Sequence, residues 1–161
     1  MTGGYRPSRG RRKTRYFIDT EFTDFEACQI ISVAIVGEDG HEFYGEVSDF
    51  ERPLCNNFVR DTVLPQLGQF PGRSIPFSEL RGELSRWLTS VPMKPRPVLC
   101  YDFDGDLALV NHLLGAPLPR GWKAENIEGR LDAGRLAEYF RKYGGEHHAL
   151  HDARANCYAF F

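Results

Sequence analysis

The sequence contains no apolar run long enough to span a membrane, and its first residues include no hydrophobic segment typical of a secretion signal. They are instead basic and interrupted by glycine, serine and proline. We therefore expect a chain that is neither inserted in a membrane nor exported, with a cytoplasmic location. Aromatic residues make up 13% and hydrophobic residues 42% of the 161 positions, which predicts one compact domain rather than general disorder.

Cysteine is sparse, and no two of the four cysteines form a C-x-x-C pair. A secreted disulfide scaffold is denser in cysteine, and a structural zinc site usually takes its ligands from close pairs. Neither architecture is therefore expected. Reduced and mostly buried thiols are predicted at Cys28, Cys55, Cys100 and Cys157.

Acidic residues are missing from the first 15 positions, which carry six of the 20 basic residues: Arg6, Arg9, Arg11, Arg12, Lys13 and Arg15. The other positions hold 14 basic and 22 acidic residues, a net charge of about −8. We predict a basic flexible tail over 1–15, which is either a tether for nucleic acid or a solubilising segment, and a folded domain over 16–161. The acidic excess of that domain indicates either a solvated surface or a carboxylate cluster completed by divalent cations.

Three consecutive strands open the predicted fold, and the Glu38-Asp-Gly40 segment between the second and third is a hairpin signal. The short connections favour an antiparallel meander. Apolar and β-branched residues predict strands over 16–22, 29–36, 41–47 and 98–103, with a further short strand near Ile127.

Helices are predicted mainly in the second half of the chain, where apolar residues recur at helical spacing. The order of elements implies an α/β fold, with a mixed sheet that carries helices on its faces. The predicted helices cover 57–64, 77–88, 106–114, 131–143 and 148–160.

Asp19 and Glu21 lie two residues apart on the first predicted strand, so that both side chains point to one face. Their neighbours Ile18, Thr20 and Phe22 point to the other face. Two acids in so apolar a strand are costly to bury unless a cation compensates, and divalent cations prefer carboxylate oxygen. The alternative is that both acids extend into solvent at the end of the strand.

Three further aspartates, Asp102, Asp104 and Asp106, follow the apolar part of the fourth predicted strand, Val98–Tyr101. They lie at the carboxyl end of a strand, where α/β folds tend to place active sites. Aspartate is also a preferred helix N-cap, so a purely structural role for Asp106 at the start of a helix is the alternative.

His147 and Asp152 are five residues apart, which on one continuous helix would separate them by about 140°. Gly144-Gly145 favours a loop around His147, from which its imidazole can lean toward Asp152. Histidine is a natural general base because its pKa lies near neutrality. His148 and His151 are further candidates, although the segment lacks the glutamate that zinc proteases place between their two histidines.

Together these residues resemble the DEDDh (DnaQ-like) family of 3'→5' exonucleases, which has a ribonuclease H-like fold. The family includes the proofreading subunit of bacterial DNA polymerase, oligoribonuclease and ribonuclease T. Its D-x-E motif matches Asp19-Thr20-Glu21, and its H-x4-D motif matches His147 to Asp152. Its remaining aspartate, after the fourth strand, matches Asp106 best, with Asp102 as the alternative.

Two segments, Arg15–Phe22 and Ile31–Gly40, look most similar to small single-domain mycobacterial-type 3'→5' exoribonucleases. The resemblance extends from Arg15 to the C-terminus and implies an exonuclease domain over 16–161. It also implies a ribonuclease H-like mixed sheet, with an antiparallel three-stranded meander, parallel strands and helices on both faces. The basic tail and the two extra histidines depart from the family pattern.

The resemblance implies a site with two divalent cations, Mg²⁺ or Mn²⁺, about 4 Å apart. Asp19 would bridge both ions, Glu21 and Asp152 would complete the site of one, and Asp106 would support the other. His147 would accept the proton of the attacking water.

The implied substrate is single-stranded RNA or a 3' overhang, hydrolysed to nucleoside 5'-monophosphates. Phe22, as a base-stacking residue, and Thr20 are the candidate substrate-binding residues, and a core position is the alternative for Phe22. Single-stranded DNA is the alternative substrate, and a non-catalytic nucleic-acid-binding module on the same fold is the alternative class. Analogy with small family members extends the prediction to a homodimer without a membrane partner.

Overall fold

The computed structural model describes residues 12–161, so most of the predicted basic tail lies outside the described part of the chain. Within it, six strands form one mixed sheet. The strands are β1 (Lys13–Phe22), β2 (Ile30–Gly37), β3 (Glu42–Val47), β4 (Ser74–Ile75), β5 (Arg96–Tyr101) and β6 (Lys123–Asn126).

Four α-helices accompany the sheet, and each contains only 11 to 14 residues. They are α1 (Phe77–Ser90), α2 (Asp104–Leu114), α3 (Ala133–Tyr143) and α4 (Ala149–Ala159). Among residues 12–161, no helix has the length and apolar character that a membrane crossing needs.

The sheet has the strand order β4-β3-β2-β1-β5-β6. The first three strands form an antiparallel meander, whereas β5 pairs in parallel with β1, and β6 pairs in parallel with β5. The predicted α/β fold with its mixed sheet is confirmed. Because β1, β5 and β6 run in the same direction, their carboxyl ends meet at one edge of the sheet.

Several boundaries shift by one or two residues, and three elements differ more from the prediction. β1 begins at Lys13 rather than at residue 16, because Lys13 already pairs with Arg96 of β5. The helix predicted over 57–64 is wound as a π-helical turn over Val59–Val63 that continues into a 3-10 turn over Leu64–Gln66. The short β4 was missed, since two residues carry no periodic pattern.

One face of the sheet is covered by α1 and α2. Tyr16 and Ile18 of β1 are buried there against Leu80 and Leu84 of α1 and Leu113 of α2. Full burial of each such leucine contributes about 2 kcal/mol through the hydrophobic effect. This face therefore holds the main core of the protein.

The opposite face of the sheet is covered by α4, which packs through small side chains. Ala149 and Ala153 are fully buried and lie in one cluster with Ala34 of β2. Small residues at this contact let the helix axis approach the sheet closely. Asp152, the neighbour of Ala153, is thereby held beside the face of β1 that carries Asp19.

All four cysteines are free thiols in this fold. Cys55 and Cys100 are buried, Cys157 is half-buried and Cys28 is exposed. Burial raises the pKa of the Cys100 thiol to about 12, which makes it unreactive at neutral pH.

Candidate active site

Three carboxylates converge where β1 meets α4. Asp19 and Glu21 extend from the same face of β1 near its carboxyl end, and Asp152 extends from the first turns of α4. One carboxylate oxygen from each residue lies within 4.8 Å of the other two. The structure thus brings together three of the predicted site residues, from both ends of the described chain.

Burial and mutual repulsion make these carboxyl groups hold protons unusually tightly. Burial, together with the charge of Asp152, raises the pKa of Glu21 to about 9. Burial also raises the pKa of Asp152 to about 7. The pKa of Asp19 is raised well above its usual value, first by burial and then by the charges of Asp152 and Asp106. A cation bound by these oxygens would offset the repulsion between the carboxylates and lower all three pKa values.

Divalent cations fit the oxygens that this cluster presents. The Oδ2 atom of Asp19 is buried and has no hydrogen-bond donor among the described residues. An orphaned carboxylate oxygen of this kind is costly unless a cation binds it. Hard cations such as Mg²⁺ and Mn²⁺ prefer such oxygen ligands, so Asp19, Glu21 and Asp152 have the chemistry of a metal site.

Asp106 lies beside this cluster but is held by a different contact. It occupies the first turn of α2, is only 4% exposed, and accepts a hydrogen bond of 2.5 Å from the Thr20 hydroxyl. Burial, and next the charge of Asp102, raise the pKa of Asp106 to about 7. Thr20, predicted to bind substrate, is itself buried and uses its hydroxyl to orient Asp106.

The N-cap of α2 is Phe103, so the alternative in which Asp106 caps the helix is wrong. Asp102 is exposed, whereas Asp106 is buried near the cluster. Both aspartates are close enough to raise the pKa of Asp19, and Asp106 raises it more than Asp102 does. These positions favour Asp106 over Asp102 as the fourth acid.

His147 lies in the loop before α4, as the paired glycines predict, and has a left-handed backbone with φ of 69°. Its backbone N–H donates to Asp152 Oδ1 at 3.0 Å. Its ring packs edge-on against Phe58, with Nε2 3.8 Å from Glu146 Oε1. The backbone of His147 is therefore bonded to the cluster, while its half-exposed ring contacts Phe58 and lies near Glu146.

The conformation of this loop depends on Gly145, which has a φ of 83°. A Cβ atom added to Gly145 would lie 2.5 Å from Cγ of His151, inside any normal contact distance. Only glycine therefore allows the loop to approach α4 so closely. This approach places the His147 backbone within reach of Asp152.

His148 anchors the start of α4 rather than serving the cluster. It is the N-cap residue, and its Nδ1 accepts a hydrogen bond of 3.2 Å from the Leu150 N–H. Burial lowers the pKa of His148 to about 4, so the ring is neutral and its Nε2–H can donate to the Tyr44 hydroxyl, 3.2 Å away. Tyr44 in turn donates to the buried Glu46.

No sequence motif signals this buried chain of hydrogen bonds from His148 to Glu46. Tyr44 and Glu46 lie on β3, 104 and 102 positions before His148, and neither belongs to a recognisable pattern. These hydrogen bonds hold the first turn of α4 against the sheet. They thereby support the position of Asp152, one turn further along the helix.

Three phenylalanines form an exposed aromatic cluster beside the carboxylates. Phe22 follows Glu21 directly; its ring lies 5.4 Å from that of Phe25 and 6.3 Å from that of Phe103, almost parallel to the latter. Phe25 is 76% exposed and Phe103 is 44% exposed. The cluster lines an open cavity of about 280 Å³. Phe22 was predicted from the sequence, and the other two rings were missed.

The chain is 43% identical over 54 residues to the 3'-5' exoribonuclease Rv2179c of Mycobacterium tuberculosis, and equally so to the 3'-5' exoribonuclease MT2234.1 from another strain. The aligned region covers 33% of this chain and 32% of each relative, so it spans only about a third of the curated proteins. No protein-family model matches the chain.

Solved structures share the fold over most of the chain. The cell-death related nuclease 4 (CRN-4) superposes with a TM-score of 0.58 at 18% identity, covering 91% of this chain and 63% of that protein. An exonuclease I superposes with a TM-score of 0.53 at 15% identity, covering 92% of this chain and 39% of that protein. The chain therefore has the DnaQ-like 3'-5' exonuclease fold, with a ribonuclease H-like mixed sheet.

Proposed function

We propose that this chain is a metal-dependent 3'→5' exonuclease that hydrolyses single-stranded RNA ends to nucleoside 5'-monophosphates. The observation that carries the proposal is the convergence of Asp19, Glu21 and Asp152 within 4.8 Å at the end of β1. Such a cluster, on a fold shared with exonucleases, supports phosphodiester hydrolysis. The partial identity to an exoribonuclease supports RNA as the substrate.

In this proposal Asp19, Glu21 and Asp152 would hold divalent cations, and Asp106 would support the second ion from α2. The cations would supply stabilisation of the charge that develops on the attacked phosphate. Asp106 is kept in place by the hydroxyl of Thr20, and Asp152 by the backbone N–H of His147. The protein thus contributes a rigid arrangement of oxygens, which costs no reorganisation during the reaction.

His147 is the proposed acceptor of the proton from the attacking water. Its side chain is 41% exposed, and its backbone is already joined to Asp152. The role requires the ring to turn away from Phe58 toward the carboxylates. The competing carboxylate Glu146 holds it only weakly, at 3.8 Å on the protein surface.

The substrate assignment can be tested with matched RNA and DNA oligonucleotides of one sequence, incubated with Mg²⁺ or Mn²⁺ and with a chelator. We expect 5'-monophosphates to be released stepwise from the 3' end of the RNA, and release to stop when the metal is chelated. Equal or faster release from DNA would assign the chain to the alternative substrate. Binding without release of monophosphates would support the non-catalytic module instead.

The aromatic cluster is expected to stack on the bases at the 3' end. Phe25→Ala should reduce kcat/KM on short RNA about 5- to 150-fold, since stacking of one base contributes about 1–3 kcal/mol. Phe25 is 76% exposed, so its truncation should leave the melting temperature unchanged. Tyr143→Ala, at an exposed aromatic residue on α3, is the matched control. Equal activity of Phe25→Ala and wild type would exclude this role.

A further inference from the structure

A basic surface lies at the amino ends of the three parallel strands β1, β5 and β6, whereas the carboxylates lie near the carboxyl end of β1. Arg12, Lys13, Arg96 and Lys123 line a cavity of about 360 Å³ at the start of the three parallel strands. We call these four residues the basic rim. One acid, Glu125, also lines this cavity. A local excess of positive charge is unusual in a chain whose residues after position 15 carry about −8.

The strand register explains why the basic rim is contiguous. Lys13 of β1 pairs with Arg96 of β5, and Val98 of β5 pairs with Lys123 of β6. Paired residues share a face, and residues two apart on a strand share it as well. Lys13 is also an even number of positions from Asp19, so Lys13, Arg96 and Lys123 belong to the face of the sheet that carries Asp19.

The contacts of Glu125 show that it neutralises only one member of the rim, Lys13. Its two oxygens are already engaged, one by Lys13 Nζ at 2.8 Å and the other by Arg130 Nη1 at 3.7 Å. The hydrogen bond from Lys13 and the surrounding cations lower the pKa of Glu125. Arg12, Arg96 and Lys123 are exposed and leave charge available to an anionic partner.

The spacing between rim and carboxylates matches a short length of nucleic acid. Lys13 and Asp19 are six residues apart on β1, which corresponds to about 20 Å along the strand. Each strand of double-stranded DNA rises about 3.4 Å per nucleotide along the helix axis, so about six nucleotides of a strand stacked in this way cover this distance. Phe17, between the two places on β1, is buried under Phe160, so a strand must pass around this packed segment and be longer than six nucleotides to reach both places.

We propose that the basic rim binds phosphates of the substrate strand several nucleotides before the 3' end that occupies the carboxylate site. This inference rests on the proposed function. Its chemistry is that of a polyanionic backbone recognised by exposed arginine and lysine, without reading of bases. In the sequence, Arg6, Arg9 and Arg11 precede Arg12 and lie outside the described residues. The protein thereby holds long strands at two points and very short ones at a single point.

The test compares Arg96→Glu/Lys123→Glu with wild type on oligoadenylate RNA of 3 and of 20 nucleotides. We expect kcat/KM on the 20-mer to fall about tenfold or more while kcat/KM on the 3-mer stays unchanged. The slope of log affinity against log salt concentration for the 20-mer should become shallower by about 0.7 for each phosphate that the rim no longer binds. Arg86→Glu/Lys142→Glu is the control, because it changes net charge equally at exposed positions on α1 and α3.

Binding of the 20-mer by fluorescence anisotropy separates failure of this inference from failure of the proposed function. If no hydrolysis occurs but the rim variant binds the 20-mer at least tenfold more weakly than the control variant, the proposed function fails while binding of RNA phosphates by the rim is supported. If hydrolysis occurs and both RNA lengths respond equally to the rim variant, the inference is overturned. Polyglutamate is a polyanion without phosphates. If the rim variant binds polyglutamate more weakly than the control variant does but binds RNA equally well, the inference is also overturned.

Melting temperatures check that the rim variant is folded. Arg96 Nε donates to the Gly121 carbonyl at 3.2 Å, so Arg96→Glu carries some risk for the fold. Lys123→Gln removes a single charge at an exposed position and repeats the comparison of the two lengths. Unchanged 20-mer kinetics and salt slope in a folded Lys123→Gln variant would also overturn the inference.

Discussion

Asp19→Asn is expected to reduce metal-dependent release of monophosphates about a thousandfold or more. Asp19 contributes the oxygen that has no donor among the described residues, and it belongs to the three-carboxylate cluster. Removal of a metal that stabilises charge on the attacked phosphate costs several kcal/mol, and each 1.4 kcal/mol corresponds to about a factor of ten in rate. The asparagine keeps the shape of the side chain, so the fold should persist.

The measurement is single-turnover hydrolysis of a 3'-labelled RNA, with Mn²⁺ affinity measured by calorimetry on the same variants. Asp61→Asn, at an exposed position, is the matched control for a change of aspartate to asparagine. Mn²⁺ should bind the control as it binds wild type and should bind Asp19→Asn much more weakly. Hydrolysis by Asp19→Asn at the wild-type rate would contradict the assignment of the site.

The convergence of the carboxylates could be predicted because local rules determine it. Alternation along a strand places Asp19 and Glu21 on one face, and the glycine pair ends one helix before His147. The order of elements then suggests where Asp152 must lie. These rules depend on residues that are close in sequence, so a single sequence is sufficient to apply them.

Contacts between distant segments could not be predicted in the same way. The hydrogen bond from Thr20 to Asp106 joins residues 86 positions apart, and that between Tyr44 and His148 joins residues 104 positions apart. Both contacts depend on which strands are neighbours in the sheet and on how closely each helix packs against it. The stacking of Phe103 on Phe22 has the same origin, because both rings lie at the carboxyl ends of β1 and β5, which pair in parallel.

Glu21→Gln is expected to stabilise the metal-free protein at pH 8 and to have little effect at pH 5. The pKa of Glu21 is raised to about 9 by burial and by Asp152, so the folded chain binds this proton more tightly than the unfolded chain. Stability from such a group is present at low pH and is lost as pH rises toward 9. Glutamine stays neutral, and we expect a gain of roughly 5 °C in melting temperature at pH 8, since about 2 kcal/mol shifts a domain of this size by that amount.

Addition of Mn²⁺ should make wild type more stable than Glu21→Gln at pH 8, which reverses the order expected without metal. Metal ligands must be deprotonated, so Mn²⁺ should raise the melting temperature of wild type more at pH 8 than at pH 5. Glu21→Gln has one ligand fewer and should gain less. Glu79→Gln, on the exposed side of α1, provides the control and should follow wild type under every condition. A Glu21→Gln protein with the wild-type dependence on both pH and Mn²⁺ would show that Glu21 is neither buried beside Asp152 nor a metal ligand.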